Sequence, residues 1–296
     1  MGEHKRPRLK LFLALPNYGH QRHNTVQILK AFVGPRPFAE VYPEEQCLSL
    51  LAYAFNTLWV HALAERKNGL THFLLLHADI VPYDDDWLSQ LYHEMERVGA
   101  QVLAAVSPLK GPSGLTSTAL DGTPLRRFTM TEIMAQPETF THPDLLINTG
   151  MLLVDMRADW VEQIAFTIKD GISKNPDGSY TVLCASEDWD FSRQARRLGV
   201  QLWATRKVRL CHVGQGYFPN FQEWGTEASD SGSVPGRLEG PAVGIVGLLD
   251  RRPANPELVS LAAGAARMPD TPIAVDVAAP PTGAYMGPPC DPPGHR

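Results

Sequence analysis

The chain has no apolar run long enough to cross a bilayer, so no membrane span is expected. It also lacks an excess of positive charge. Its 27 Lys and Arg stand against 32 Asp and Glu, for a formal net charge of -5. A nucleic-acid binder would present a basic face, and the short basic start from His4 to Lys10 reads instead as a solvated arm. Cysteine is scarce: Cys47, Cys184, Cys211 and Cys290 are the four, and none forms a close pair of the zinc-holding kind. The simplest expectation is a reduced, cytoplasmic protein in which cysteines act as small core residues. Lys5, Arg6 and Arg8 precede an apolar run too short for a secretory signal. No internal repeat is visible.

What is present is a chain of 296 residues, 44% hydrophobic, enough for one sizeable core. Leu9 to Leu15 reads as a buried strand punctuated by Pro16 and Asn17. Residues 18–24 read as a loop, and 25–33 as a short helix or strand broken by Pro35 and Pro37. The spacing of Leu48, Leu51, Ala52, Phe55, Leu58, Trp59, Ala62 and Leu63 predicts a helix over 44–67. Glu44 and Glu45 would sit at its positive end, with Arg66 and Lys67 at its negative end. Residues 71–77 form a continuously apolar strand of the kind covered on both faces. A helix over 85–98 stopped by Gly99 and a strand over 101–107 come next. Residues 111–127 are polar and read as a long loop. Thr129 and Glu132 suit a capping box. A strand over 145–155 is interrupted at Asn148-Thr149-Gly150. A helix is expected over 159–172, a turn over 175–178, a helix from Ser186 to about Gly199, and strands over 201–205 and 207–212. Beyond about Gly225, Gly and Pro dominate. The expected division is a domain over 1–225 and an irregular, largely disordered tail over 226–296, with a weak helix near 257–266.

Strands alternating with helices indicate an α/β domain with a mostly parallel sheet. Ligands sit at the carboxyl ends of such strands. That rule selects Pro16 and Asn17, Asp79, the stretch 107–110, and the surroundings of Ser186 and His212.

Three of these positions can carry chemistry. Asp79 lies just past a buried strand, where a carboxylate binds a divalent cation gripping a diphosphate; it equally suits a turn or cap. Glu187 and Asp188 crowd the first turn of a helix. There they complement the dipole behind the N-cap Ser186, or one takes a proton from an acceptor hydroxyl. His212 ends an apolar strand, as a ligand to the same cation or as a hydrogen-bonded histidine at the core's edge. Lys110, Arg126 and Arg127 can face phosphate or only solvent. Thr116, Ser117 and Thr118 can contact an acceptor or simply belong to a polar loop. Trp189 and Trp203 can stack on a sugar ring or fill the core.

The joint order of these segments resembles GT-A glycosyltransferases, of the family 2-like kind that uses nucleotide-sugars. Residues 71–82 (THFLLLHADIVP) resemble the region holding the family's Asp-X-Asp motif, with His77 in place of the first aspartate. Asn148-Thr149-Gly150 and the strand after it resemble the strand lining the acceptor side. Ser186-Glu187-Asp188-Trp189-Asp190-Phe191, followed by Arg196 and Gly199, is similar to the family's Glu-Asp helix start. Residues 208–214 are similar to its closing strand with a metal-binding histidine. The match runs over residues 9–216 and omits the tail.

The resemblance implies a GT-A, Rossmann-like fold with a mixed, mostly parallel sheet flanked by helices. It implies a nucleotide-diphosphate sugar donor and a divalent cation, manganese or magnesium. Asp79 and His212 would ligate the metal. Asp188 would be the base, with Glu187 positioning donor or acceptor. Pro16, Asn17, Tyr18, His77, Ala78, Lys110, Asn148, Gly150 and Trp189 would line the nucleotide-sugar site. A metal bridging the diphosphate would stabilise the charge left when the sugar–phosphate bond breaks. A base at Asp188 favours inversion. The alternatives are a metal-dependent hydrolase of nucleotide-sugars or phosphoesters, and an inactive nucleotide-sugar-binding module.

Overall fold

The structure is a computed structural model, and it describes residues 9–17, 39–122, 125–214 and 217–225. Tyr18, the segment 25–33 and the tail over 226–296 fall outside the described residues. Among the described residues no helix is long and apolar enough to cross a membrane.

The domain is α/β, built on a mixed, largely parallel seven-stranded sheet. Its strands are β1 (Leu9–Asn17), β2 (Ala39–Cys47), β3 (His72–Leu76), β5 (Val102–Ala105), β8 (Thr139–Thr141), β10 (Met151–Asp155) and β13 (Leu202–Thr205). They lie in the order β2-β1-β3-β10-β5-β13-β8. β1, β2, β3, β5 and β13 run one way; β10 and β8 oppose them. A second, three-stranded sheet joins β4 (Ile80–Pro82), β14 (Leu210–Val213) and β15 (Tyr217–Pro219).

The central strands are buried on both faces, so their alternation sorts side chains into two cores. Phe73 and Leu75 of β3 join Phe12 and Ala14 of β1 on one face, under Phe55, Leu58 and Trp59 of helix α1 (Leu51–Glu65). Leu74 and Leu76 join Leu11, Leu13 and Leu15 on the other, under Trp87, Leu88 and Leu91 of α2 (Trp87–Val98). Each leucine and phenylalanine among them contributes about 1.5–3 kcal/mol when fully buried. α2 ends at Gly99 with φ +64, the left-handed conformation that glycine adopts without strain.

Several sequence expectations change. The helix expected over 44–67 begins only at Leu51, and Glu44 and Glu45 lie in β2. There β2 pairs in parallel with β1 as the sheet's edge, where Pro43 costs no ladder bond on the open side. The loop expected over 111–127 contains β6 (Leu115–Leu120), which pairs with β7 (Arg126–Thr129) and β9 (Leu145–Leu146). Its buried residues include threonines, so no apolar alternation marks it. Thr116 Oγ1 shares its one hydrogen between the carbonyls of Thr118 and Phe128, at 3.0 and 2.9 Å, which offsets the burial. Thr116 and Thr118 are fully buried.

The helix expected over 159–172 is also absent. A short 3₁₀ turn, Asp159–Gln163, gives way to extended chain and then to β11 (Lys169–Lys174). Asn56 explains the change. Its amide donates to Phe166 O at 2.8 Å and accepts from Phe166 N at 2.8 Å, as a strand partner would. β11 and β12 (Tyr180–Ala185) form an exposed hairpin on the expected turn, with Gly178 at φ +85. The capping box is present at the start of α3 (Met130–Ala135): Thr129 Oγ1 accepts from Glu132 N, and the Glu132 carboxylate accepts from Thr129 N. Ser186 occupies the N-cap of α4 (Glu187–Arg197), though its side chain makes no capping bond.

Candidate functional site

The carboxyl ends of β3 and β5 and the start of α4 converge on one cluster. Past β3 the chain turns through His77, Ala78 and Asp79 into β4, with Ile80 N donating to His77 O at 3.1 Å. β4 pairs with β14, which sets His212 opposite Ile80. Two side chains far apart along the chain thereby meet: His212 Nε2 lies 3.4 Å from Asp79 Oδ2. Lys110, from the loop after β5, donates its ammonium to the same Asp79 oxygen.

The tautomer of His212 follows from its other bond. Nδ1 lies 2.6 Å from Pro108 O, and a carbonyl only accepts, so Nδ1 carries the hydrogen. Nε2 is therefore the ring nitrogen that faces Asp79, where it donates to the carboxylate when it carries a hydrogen and offers a lone pair to a cation when it does not. Metal-binding histidines are oriented in this way by a carbonyl behind them. Burial alone would raise the Asp79 pKa. The hydrogen bonds from His212 and Lys110 outweigh it and hold the carboxyl well below the usual range. Asp79 Oδ1 is buried without a hydrogen-bond partner. Among the described residues, no group of three or more His, Cys, Asp or Glu converges on a metal position.

His77 connects this group to the helix. Its backbone N donates to Gly150 O at 2.9 Å, and its ring lies 5.1 Å from the ring of Phe55. Burial pushes its pKa down to about 4, against the pull of Asp79 and with the help of His212 and Lys110. The ring is therefore neutral at neutral pH. His77 Nε2 lies 3.3 Å from Thr149 Oγ1, and that hydroxyl donates to Asp188 Oδ1 at 2.5 Å.

Asp188 has the strongest upward shift in the cluster. Burial, then the neighbouring Glu187 carboxylate, raise its pKa to about 7, against opposing bonds from Thr149 and the charge of Arg127. Glu187 is raised as well, chiefly by burial. A carboxyl half-ionised near neutrality can accept a proton from a hydroxyl and release it to water.

The neighbouring residues are held by hydrogen bonds and packing. Asn148 donates to Ala105 O at 2.7 Å and accepts from Gly150 N at 2.9 Å, which ties the interruption before β10 to β5. At Gly150 a Cβ would meet Ile80 and Asn148 at 3.2 Å. Trp189 is buried: its Nε1 donates to Ser117 O at 3.0 Å and Arg127 lies over its ring at 4.2 Å. Arg127 also donates to Thr116 O at 3.1 Å. Trp203 is buried in the core. Arg193 and Arg196 clasp Asp121, and Arg196 also reaches Asp144 at 2.7 Å, fixing α4 against the ends of β6 and β9.

The structure thus gathers Asp79, His77, Ala78, Lys110, Asn148, Gly150, Asp188 and His212. Pro16 and Asn17 end the neighbouring strand β1. Since Ala14 pairs with Leu75, Asn17 and Ala78 lie at the same end of the sheet. Asn17 donates to Glu45 on β2. Sequence reasoning read Thr149 only as part of an acceptor-side segment and Phe55 only as part of a helix's apolar stripe, and left Arg127 facing phosphate or solvent. Their contacts reach across distant parts of the chain, and no local spacing announces them.

No family model matches this chain, and no curated protein matches it. Among solved structures, a nucleoside-diphosphate-sugar pyrophosphorylase from Vibrio cholerae is similar at 11% identity and a TM-score of 0.30, over 66% of this chain and 72% of that one. A mannose-1-phosphate geranyltransferase from Thermus thermophilus is similar at 12% identity and a TM-score of 0.32, over 66% of this chain and 73% of that one. Likenesses this distant carry no argument about chemistry, which rests on the side chains of the cluster.

Proposed function

We propose that the chain is a nucleotide-sugar transferase, and within that class a metal-assisted glycosyltransferase with Asp188 as its base. The observation that supports this reading most is the meeting of Asp79 and His212 in the cluster that also holds Asp188.

The residues suit a divalent cation. Asp79 offers Oδ2, and His212 offers Nε2 only 3.4 Å from it. A magnesium or manganese ion held by few protein ligands completes its shell with phosphate oxygens and water. When bound, it would stabilise the charge that develops on a leaving diphosphate.

The chain's own groups would do the rest. An acceptor hydroxyl placed at Asp188 would lose its proton to the carboxylate as its oxygen attacks the anomeric carbon. The sugar–phosphate bond breaks, and the nucleoside diphosphate leaves with the bonding pair. Direct displacement of this kind inverts the anomeric centre. Neutral His77 and Thr149 would keep the Asp188 carboxylate oriented.

A thermal-shift screen of nucleotide-sugars with and without manganese tests the reading. The expected result is stabilisation that needs both ligands and that Asp79→Ala abolishes. An unchanged shift in Asp79→Ala would remove the metal assignment. Rapid stoichiometric loss of donor without acceptor would favour hydrolysis instead. Donor binding with no transfer to any acceptor would favour a binding module.

A further inference from the structure

The partner that Asp79 holds in this structure is itself a cation. Lys110 Nζ donates to Asp79 Oδ2, the oxygen that also faces His212 Nε2. Both side chains of the pair are about one-third exposed, at 38% and 34%. An isolated ion pair so exposed contributes little to folding.

Gly214 gives a second, independent sign. A Cβ at 214 would lie 2.9 Å from Lys110 Cδ and 3.3 Å from Lys110 Cβ and Cγ. Glycine there does not serve the backbone, because Gly214 is absent from the positive-φ glycines among the described residues. Its bare Cα forms a trough along which the lysine stem runs to Asp79. The four-carbon stem is flexible, and its ammonium can move several ångströms while the stem stays seated.

We propose that Lys110 is an exchangeable counter-ion: a divalent cation takes Asp79 from it, and its ammonium then turns to a diphosphate oxygen. Gly214 is the positioning residue for both placements. The exchange keeps positive charge on Asp79 before donor arrives and adds a donor–phosphate contact afterwards. No bond is made or broken. This inference rests on the metal assignment under the proposed function.

Manganese titrations of the ligand-free protein, followed by the electron paramagnetic resonance signal of free ion, test it. The proteins are wild type, Lys110→Met, Lys110→Arg, Gly214→Ala and Asp79→Asn. Lys110→Met and Gly214→Ala should bind manganese about three- to tenfold more tightly, because neither holds the ammonium on Asp79. Gly214→Ala keeps the charge and so separates position from net charge. Lys110→Arg should stay near wild type, and Asp79→Asn should bind none. With manganese saturating, inorganic pyrophosphate should bind Lys110→Met about tenfold more weakly than wild type. Equal manganese affinity in wild type, Lys110→Met and Gly214→Ala would overturn the exchange, as would undiminished pyrophosphate binding by Lys110→Met. Absence of manganese binding by every protein would instead overturn the metal site itself, and the exchange with it.

Discussion

Thr149 Oγ1 donates a 2.5 Å hydrogen bond to Asp188 Oδ1 while facing His77 Nε2 at 3.3 Å. A hydroxyl has one hydrogen, and here it goes to the carboxylate. The bond favours the ionised form and so opposes the burial that raises the Asp188 pKa to about 7. Thr149→Val should therefore move the rising limb of the pH–rate profile upward, by about one unit for one lost charge-assisted bond. Thr149→Ser should restore it. A merely structural role for the hydroxyl would lower the rate without moving the profile.

Asp188→Asn should lower transfer by about 10²–10⁴-fold, the range of a lost general base. In the wild-type enzyme the base works when ionised, so activity should rise with pH through about 7. The stability effect has the opposite sign. A folded pKa above the unfolded value means that the folded state holds the proton more tightly. That contribution is complete below the unfolded pKa and is lost as pH rises through the folded pKa. Asp188→Asn should therefore gain on the order of 1 kcal/mol over wild type at pH 8, with little gain near pH 4. Urea unfolding at both pH values checks it.

His212→Ala should weaken manganese binding about 10- to 100-fold and leave urea stability within about 1 kcal/mol, if its ring serves mainly as a ligand. Isothermal titration with manganese and pyrophosphate measures the first, and a urea midpoint the second. A large stability loss with intact manganese affinity would mark the histidine as structural.

Asn56→Ala should destabilise by about 1–3 kcal/mol, because it strips both bonds from the Phe166 backbone. The loss should appear in the urea midpoint with an unchanged slope. The extended segment before β11 should also become more open to limited proteolysis, since Asn56 holds it.

The central strands were legible because burial on both faces leaves a continuous apolar run, as in His72–Leu76. α2 was legible from its apolar residues and the stop at Gly99, and α4 from the acids in its first turn. β6 was not, since its buried positions include threonines, which read as a loop. The extended chain at Phe166 was not, since a side chain on α1 imposes it.

For the site, the sequence by itself marked Asp79, Asp188 and His212 as residues of suitable chemistry at strand ends or a helix start. Taken singly, Asp79 suited chemistry and scaffolding equally, while Asp188 and His212 read more readily as scaffolding. Tertiary structure decided that they share one cluster, that Lys110 sits on Asp79, and that Thr149 joins His77 to Asp188. The physical reason is range. Backbone preference and hydrophobic periodicity act between near neighbours and are written locally. A carboxylate's proton affinity depends on burial and on charges that only folding brings beside it.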